Sequence, residues 1–215
     1  MVRRSLAEWA PMRKRPTPVK AVPNLKLTAR FGHAVAYAAR QHAAQKRKGT
    51  DRPYIAHLLG VASIVLEHGG DEDQAIAALL HDVVEDCGGL RRLREIRRRF
   101  GARVAEIVDG CTDAYTMPKL PWRRRKEKYL ADLPQACADV RLVSAADKLH
   151  NAREVLSDYR SEGEAVWRRF KGRKRGTLWY YRALVEAYRA AGATALVEEL
   201  DRVVGELERE AARRR

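Results

Sequence analysis

The chain has 215 residues, of which 46% are hydrophobic and 33% are charged. This is enough for one globular domain with a buried core, and it excludes collagen-like, coiled-coil-only and wholly disordered chains. Lys and Arg number 43 against 28 Asp and Glu, a formal net charge of +15. The surface should therefore attract polyanions such as nucleotides, nucleic acid or acidic membrane, and charge alone does not choose among them.

Residues 1–25 carry six Lys and Arg and four prolines against one acid, Glu8. Such a composition buries too little apolar surface to become ordered, so we predict a flexible basic arm followed by one domain over residues 26–215. The arm lacks the apolar core of a secretory signal, and no apolar run approaches the roughly 18 residues of a membrane span. We expect a cytoplasmic protein with no membrane partner.

From Leu27 onward, apolar residues recur at the spacing of helices, and no segment alternates with a period of two. The spacing predicts three helices around residues 31–38, 58–65 and 76–83. It predicts six more at about 90–100, 102–112, 121–132, 136–156, 177–190 and 194–212, with a loop over 157–176. The predicted fold class is all-α, a bundle of eight or nine helices.

Three cysteines, Cys87, Cys111 and Cys137, are separated by 24 and 26 residues and form no CxxC pair. An odd number at this spacing predicts neither a disulfide framework nor a structural zinc site. We expect reduced, buried thiols.

Four proton-handling or metal-capable residues, His81, Asp82, Glu85 and Asp86, lie within or beside an apolar helix. A buried carboxylate or imidazole must find a partner. Because His81 and Glu85, and likewise Asp82 and Asp86, are four residues apart, one helical edge gathers an imidazole and several carboxylates. A divalent cation would stabilise this like-charge cluster.

Two further residues of these types have apolar surroundings: His57 at the entry of a helix, and Asp147 in the run 141–151. Together with the His-Asp pair they form a set of two imidazoles and two carboxylates, which suits Mn²⁺, Fe²⁺ or Zn²⁺. Such a metal acidifies its water and polarises a phosphoryl oxygen, so metal-assisted hydrolysis is the reaction class indicated. Glu85 and Asp86 are candidates to orient or deprotonate that water.

The order of these residues resembles that of the HD superfamily of metal-dependent phosphohydrolases. More closely, the chain resembles the hydrolase domain of RelA/SpoT-type stringent-response enzymes and their stand-alone relatives, the small alarmone hydrolases. The similarity runs from about Leu27 to Tyr188, and its motifs are Lys46–His57, Ala77–Asp86, Phe100–Val104 with Thr112-Asp113, and Ala146–Arg153.

This resemblance implies an all-α enzyme with one Mn²⁺ that removes pyrophosphate from the ribose 3′ position of ppGpp or pppGpp, returning GDP or GTP. Fe²⁺ and Zn²⁺ remain alternatives for the metal. By resemblance, the metal ligands are His57, His81, Asp82 and Asp147, and Glu85 and Asp86 act on the nucleophilic water. Arg47 and Lys48 correspond to a basic pair beside the purine, and Asn151 to an asparagine that contacts the nucleoside.

Other charged residues bear on the nucleotide. Some of Lys119 and the basic stretch Arg123–Lys126 are expected to face the site, with Lys119 and Arg123 as the candidates for substrate contact, because a substrate with two pyrophosphates is densely anionic. Glu154 stands where related enzymes can carry a hydroxyl residue, and an extra acid there would repel phosphate. This departure leaves the choice between guanine and adenine open.

Two alternative functions remain at this point. One keeps the site but changes the substrate to ppApp, another 3′-phosphorylated nucleotide or a nucleoside monophosphate. The other is a nucleic-acid or anion-binding module with a structural metal, which the +15 charge and the basic arm favour. No helix-turn-helix signature or aromatic-interleaved basic stripe supports it. The oligomeric state is not predicted.

Overall fold

A computed structural model describes residues 26–112 and 120–213, so the predicted arm over 1–25 lies outside the described residues. The described part holds nine α-helices of nine residues or more, one short helix, two 3₁₀ segments and no strand. The α-helices are α1 Ala29–Gln41, α2 Tyr54–Glu67, α3 Glu72–Leu80, α4 Val83–Cys87, α5 Gly89–Phe100, α6 Ala102–Cys111, α7 Trp122–Asp132, α8 Ala138–Glu162, α9 Arg173–Ala191 and α10 Ala195–Arg213. The 3₁₀ segments are Leu133–Gln135 and Gly163–Arg169. The predicted all-α bundle is confirmed.

Local sequence signals determine where helices α1, α2 and α3 begin. Helix α1 begins after Thr28, whose hydroxyl accepts from the Arg30 amide at 3.2 Å. Helix α3 begins with a capping box, in which Asp71 and Gln74 each satisfy the other's backbone amide. Pro53 stands at the N-cap of α2, where its fixed φ directs the chain into the first turn.

Helix α8 is the central element of the bundle. It has 25 residues and packs against α2, α3, α6 and α10. Its buried side chains are mostly small or aliphatic, such as Val143, Ala146 and Leu149, each 0% exposed. Helix α3 is equally apolar, with every residue from 75 to 80 at 0% exposure. Polar side chains on α8 that face α2 and α3 therefore lie inside an apolar core.

The predicted loop over residues 157–176 is wrong. Helix α8 continues to Glu162, because Tyr159 is fully buried and its ring lies 5.3 Å from that of Trp167. Gly163, with φ of 62°, ends the helix. A 3₁₀ segment then leads to α9, which begins at Arg173.

A tight loop joins α1 to α2 and presents two cations beside α8. An isolated antiparallel bridge pairs Lys46 with Pro53, and the Arg47 amide donates to the Arg52 carbonyl at 2.8 Å. Gly49 occupies the left-handed region with φ of 73°, which a turn of this size requires. The loop thereby holds Arg47 and Lys48 next to the C-terminal half of α8.

Among the described residues, no helix combines the length and apolarity needed to cross a membrane. All three cysteines are free thiols, as expected, but the expected burial is wrong for Cys137, which is exposed. Cys87 and Cys111 are partly buried.

Candidate metal centre

A cleft of about 390 Å³ opens where α2, the α3–α4 junction, α7, α8 and α9 meet. Its floor carries histidines and carboxylates, and its rim carries cations and aromatic rings. The residues that line it include Arg47, Lys48, Tyr54, His57, His81, Asp82, Glu85, Trp122, Arg125, Lys126, Tyr129, Asp147, Lys148, Asn151, Phe170, Lys171, Tyr180 and Tyr181. Most of the predicted site residues are therefore in one place.

The two predicted histidine ligands lie side by side at the bottom of the cleft. His57, on the first turn of α2, is 1% exposed, and His81, at the end of α3, is 4% exposed. Their rings are 5.4 Å apart and nearly perpendicular. The Nδ1 of His81 lies 2.8 Å from the Ala78 carbonyl. Donation to that carbonyl leaves the Nε2 lone pair of His81 directed into the cleft.

The two predicted carboxylate ligands flank these histidines. Asp82 Oδ2 lies 3.0 Å from His81 Nε2 and 3.8 Å from His57 Nε2. Asp147 Oδ1, on α8, lies 3.2 Å from His57 Nε2 and 3.6 Å from His81 Nε2. Ligand atoms of His57, His81 and Asp147 all lie within 4.8 Å of one another. The structure brings together all four residues from three separated stretches of sequence.

These residues fit a divalent cation. Both Nε2 atoms are buried, and neither makes a hydrogen bond to the described residues. A buried, unpartnered polar atom is costly, and here two of them face two carboxylates. Ligands bound at about 2.1 Å from one ion stand roughly 3 to 3.5 Å apart, and the four nitrogen–oxygen separations above, from 3.0 to 3.8 Å, lie in or close to that range. Mixed nitrogen and oxygen donors suit Mn²⁺, Fe²⁺ or Zn²⁺.

The electrostatics of the site also favour a bound cation. Burial alone would lower the pKa of His81, but the carboxylates of Asp82 and Asp147 outweigh burial and hold its pKa well above the usual value. For His57, burial dominates and the pKa is lowered. Burial would raise the pKa of Asp147, but the Lys148 ammonium and the two histidines hold it well below its usual range. The carboxylates thus stay ionised, and their negative charge favours a positive charge beside the His81 Nε2 atom.

Each carboxylate is oriented by a neighbour that the sequence did not single out. The Tyr54 hydroxyl donates to Asp82 Oδ2 at 2.6 Å. The Lys148 ammonium donates to Asp147 Oδ2 at 2.5 Å, and Asn151 donates to Asp147 Oδ1 at the same distance. Only adjacency to a predicted ligand could have identified Lys148, and nothing local could have identified Tyr54, which lies 28 residues from Asp82.

The two predicted water-handling acids lie on α4, one turn beyond the His-Asp pair. Glu85 lines the cleft. Asp86 is exposed, does not line the cleft, and accepts a hydrogen bond from Gln45 Nε2 at 2.8 Å. Desolvation by the surrounding protein and the charges of Asp82 and Glu85 raise the pKa of Asp86 despite that hydrogen bond. The structure brings Glu85, but not Asp86, to the cleft.

The predicted nucleoside-side residues also reach the cleft, but Arg47 is already engaged. Its guanidinium forms an ion pair with Glu154, donates to Asn151 Oδ1 at 2.5 Å and lies 5.4 Å from the centre of the Tyr54 ring. Glu154 also pairs with Arg52 at 3.5 Å. The charge of Glu154 is therefore compensated, and the expected repulsion of phosphate is reduced. Lys48 is exposed on the rim.

Of the two predicted phosphate-side cations, Lys119 lies outside the described residues, and Arg123 does not line the cleft. The Arg123 guanidinium stacks 3.2 Å above the Trp179 ring and pairs with Glu127 at 2.7 Å. The neighbouring Arg125 and Lys126 line the cleft instead. The spacing of a helix explains this difference, since Trp122, Arg125 and Lys126 stand three and four positions apart and share the face that lines the cleft, whereas Arg123 directly follows Trp122 and lies off that face.

Comparison with known proteins agrees with this geometry. A family model described as the HD domain matches residues 34–178. The chain belongs to the HD-domain family. The matched range contains all four residues of the candidate metal centre, and also Glu85 and Asp86.

Several named proteins are similar to this chain. A Xenopus tropicalis protein named guanosine-3′,5′-bis(diphosphate) 3′-pyrophosphohydrolase MESH1 is 42% identical over 125 residues, which are 57% of this chain and 67% of that protein. The Homo sapiens protein of the same name is 41% identical with the same coverage. A pyrophosphohydrolase of Aquifex aeolicus is 38% identical over 57% of this chain but only 17% of its own length. The HD domain of this chain is thus similar to both short and long relatives.

A solved structure gives the same result at the level of the fold. It is described as a metazoan ortholog of SpoT that hydrolyses ppGpp and plays a role in starvation responses. It superposes with a TM-score of 0.71 at 27% sequence identity, covering 86% of this chain and 98% of that one. The HD-domain fold of this protein is therefore shared over nearly the whole of that structure.

Proposed function

We propose that this protein is a divalent-metal-dependent hydrolase that removes the 3′-pyrophosphate of ppGpp and pppGpp, releasing GDP or GTP and pyrophosphate. The observation that carries the proposal is the pair of buried, unpartnered Nε2 atoms of His57 and His81, which face two ionised carboxylates in a cation-rimmed cleft. Its support from relatives is that proteins up to 42% identical are named for this activity.

The metal that we propose is one Mn²⁺, with Fe²⁺ or Zn²⁺ as alternatives, held by His57, His81, Asp82 and Asp147. When bound, it would acidify a water molecule and polarise a phosphoryl oxygen of the substrate. Tyr54 and Lys148 keep one oxygen of each carboxylate hydrogen-bonded. This limits the rotation of both carboxylates before a substrate arrives.

The proposed reaction breaks the bond between the ribose 3′ oxygen and phosphorus. The oxygen of a water molecule joins that phosphorus, and the 3′ oxygen leaves with the nucleoside and gains a proton. We propose that Glu85, which lines the cleft, takes a proton from the attacking water. Asp86, whose pKa is raised by desolvation and by the neighbouring acids, is the second acid that we propose to act on the water.

The rim of the cleft suits an anionic nucleotide. Arg125, Lys126 and Lys171 line the cleft, where they can meet the phosphate chains. Lys48, Asn151, Phe170 and Tyr181 line the cleft and also an adjoining pocket. We propose that the first group binds the phosphates and the second group the nucleoside, with Lys119 as a further contact. The three free thiols fit a reducing, cytoplasmic setting.

A substrate panel tests this proposal. Purified protein with added Mn²⁺ is incubated with ppGpp, pppGpp, ppApp, another 3′-phosphorylated nucleotide and a nucleoside monophosphate, and products are separated by ion exchange. We expect GDP or GTP plus pyrophosphate from the first two, and no release by an Asp147→Asn variant. Intact ppGpp beside cleavage of another nucleotide would refute the substrate assignment. Residual activity of the variant near the wild-type level would refute the metal centre.

A further inference from the structure

We propose that His150 is a positioning residue for His57. Its hydrogen bond keeps the proton of the His57 ring on Nδ1, so that the lone pair of Nε2 is available to the metal. The inference rests on the proposed metal centre and concerns a histidine outside the proposed ligand set. The Nδ1 atoms of His57 and His150 lie 3.0 Å apart, and the rings meet edge to face with centres 4.8 Å apart.

The direction of this hydrogen bond decides whether His57 can bind a cation. A neutral imidazole carries one proton, on either Nδ1 or Nε2. If His57 Nε2 is to offer a lone pair to the metal, its Nδ1 must carry the proton and donate it. Among the described residues, His150 Nδ1 is the hydrogen-bond partner of that atom. His150 therefore accepts, and the reverse direction would place a proton on the Nε2 that faces the carboxylates.

The ring of His150 is held in place by the helix that carries His57. A Cβ atom added at Gly60 would stand 2.2 Å from His150 Nε2 and 2.3 Å from its Cδ2. Gly60 lies one turn after His57 on α2, and His150 lies one turn after Asp147 on α8. One contact between the two helices therefore aligns the acceptor ring with a proposed ligand, and only glycine at position 60 leaves room for it.

The same ring belongs to a second cluster, which could be mistaken for a metal site. Ligand atoms of His57, His150 and Glu154 also lie within 4.8 Å of one another. Glu154, however, is ion-paired with Arg47 and Arg52. Guanidinium groups on that carboxylate oppose a second cation, so we assign His150 to support of the first centre.

Mn²⁺ binding to the metal-free protein tests the assignment without any substrate. His150→Asn keeps an acceptor oxygen near the position of Nδ1, whereas His150→Leu removes it. We expect His150→Leu to weaken Mn²⁺ binding by about 10- to 100-fold, the usual effect of removing a partner of a metal-ligating histidine. His150→Asn should stay within about threefold of the wild type, and His68→Leu, at the far end of α2, should have no effect.

Gly60→Ala provides an independent test through the same ring. In the wild-type background it should displace His150 and weaken Mn²⁺ binding. In a His150→Ala background, where no ring reaches Gly60, the same change should have no further effect on Mn²⁺ binding. This double variant also shows whether a methyl group at position 60 allows folding.

Several outcomes would overturn the proposal. These are wild-type affinity in His150→Leu, equal losses in the Leu and Asn variants, a Gly60→Ala effect that is the same in both backgrounds, or two Mn²⁺ ions per chain. Absence of Mn²⁺ binding to the wild type would overturn both this inference and the metal centre. Failure of the His150 variants alone would leave the hydrolase proposal standing.

Discussion

Asp82→Asn separates the charge of a proposed ligand from its shape. Asp82 Oδ2 accepts a hydrogen bond from the Tyr54 hydroxyl at 2.6 Å and lies 3.0 Å from His81 Nε2. An amide keeps an oxygen that can accept from Tyr54, so the fold should lose about 1 kcal/mol or less. The two carboxylates together match the charge of a divalent ion, and the variant leaves only Asp147 to do so.

The expected loss of activity is more than about 100-fold in kcat at a Mn²⁺ concentration that saturates the wild type. This corresponds to about 2.7 kcal/mol of lost transition-state stabilisation, at 1.36 kcal/mol per tenfold change. Activity should not vanish, because His57, His81 and Asp147 still lie within 4.8 Å of one another and can hold an ion weakly.

The assay is pyrophosphate release from ppGpp, run beside measurement of the metal that each protein retains after dialysis. Tyr54→Phe is the matched control, since it removes the hydrogen bond to Asp82 and keeps the carboxylate. We expect it to cost tenfold or less. The reasoning would be refuted if Asp82→Asn retained more than a tenth of the wild-type rate, or if Tyr54→Phe lost as much as Asp82→Asn.

Three further predictions follow from other parts of the structure. Arg125→Ala should raise KM for ppGpp about tenfold while Arg123→Ala changes it less than twofold, because only the first lines the cleft; equal effects in steady-state kinetics would contradict this. Chelation should abolish activity and lower Tm, and excess Mn²⁺ at about 100 times its Kd should restore about 2.7 kcal/mol of stability; an unchanged melting curve would count against the site. Burial would raise the pKa of Asp201, but hydrogen bonds from Arg182 and Arg189 outweigh burial and lower this pKa. The ionised Asp201 side chain therefore stabilises the fold above its unfolded pKa near 4, and this stabilisation is lost as the pH falls through the folded pKa. Asp201→Asn should therefore cost about 1 kcal/mol from pH 7 to about pH 5 and progressively less below pH 4 in urea unfolding; a cost that does not shrink on acidification would refute the ion-pair explanation.

The sequence predicted that His57, His81, Asp82 and Asp147 come together, because burial makes such residues conspicuous. Asp147 stands in an apolar stretch of α8 and is 7% exposed, and a carboxylate in such a position requires a charged partner. The same reasoning applies to His57 and His81. The helical class was equally predictable, since apolar spacing reports which face of each helix is buried.

The rim of the cleft was less predictable, because exposed side chains are not constrained by an apolar pattern. Helix α7 buries no residue, so its sequence could not show which of its cations face inward. Within the expected basic stretch, Arg125 and Lys126 line the cleft, whereas Arg123 does not. The end of α8 was missed because Tyr159 is held by Trp167, from a segment that periodicity within α8 does not include.

Glu154 shows how an apparently unfavourable residue depends on a partner that is distant in sequence. Asp147, Asn151, Glu154 and Asp158 form one stripe along α8, because their spacing returns to the same face at each turn. Arg47 lies against the middle of this stripe and bridges Asn151 to Glu154, while Arg52 pairs with Asp158 at 2.6 Å. An isolated acid at position 154 would repel a nucleotide. Glu154 is instead paired with two guanidinium groups, and it holds Arg47 against Asn151. Asn151 in turn donates a hydrogen bond to the proposed metal ligand Asp147. The basic loop and the acidic stripe therefore have to be considered together, since each cation reduces the repulsion that the acids would otherwise exert on the substrate.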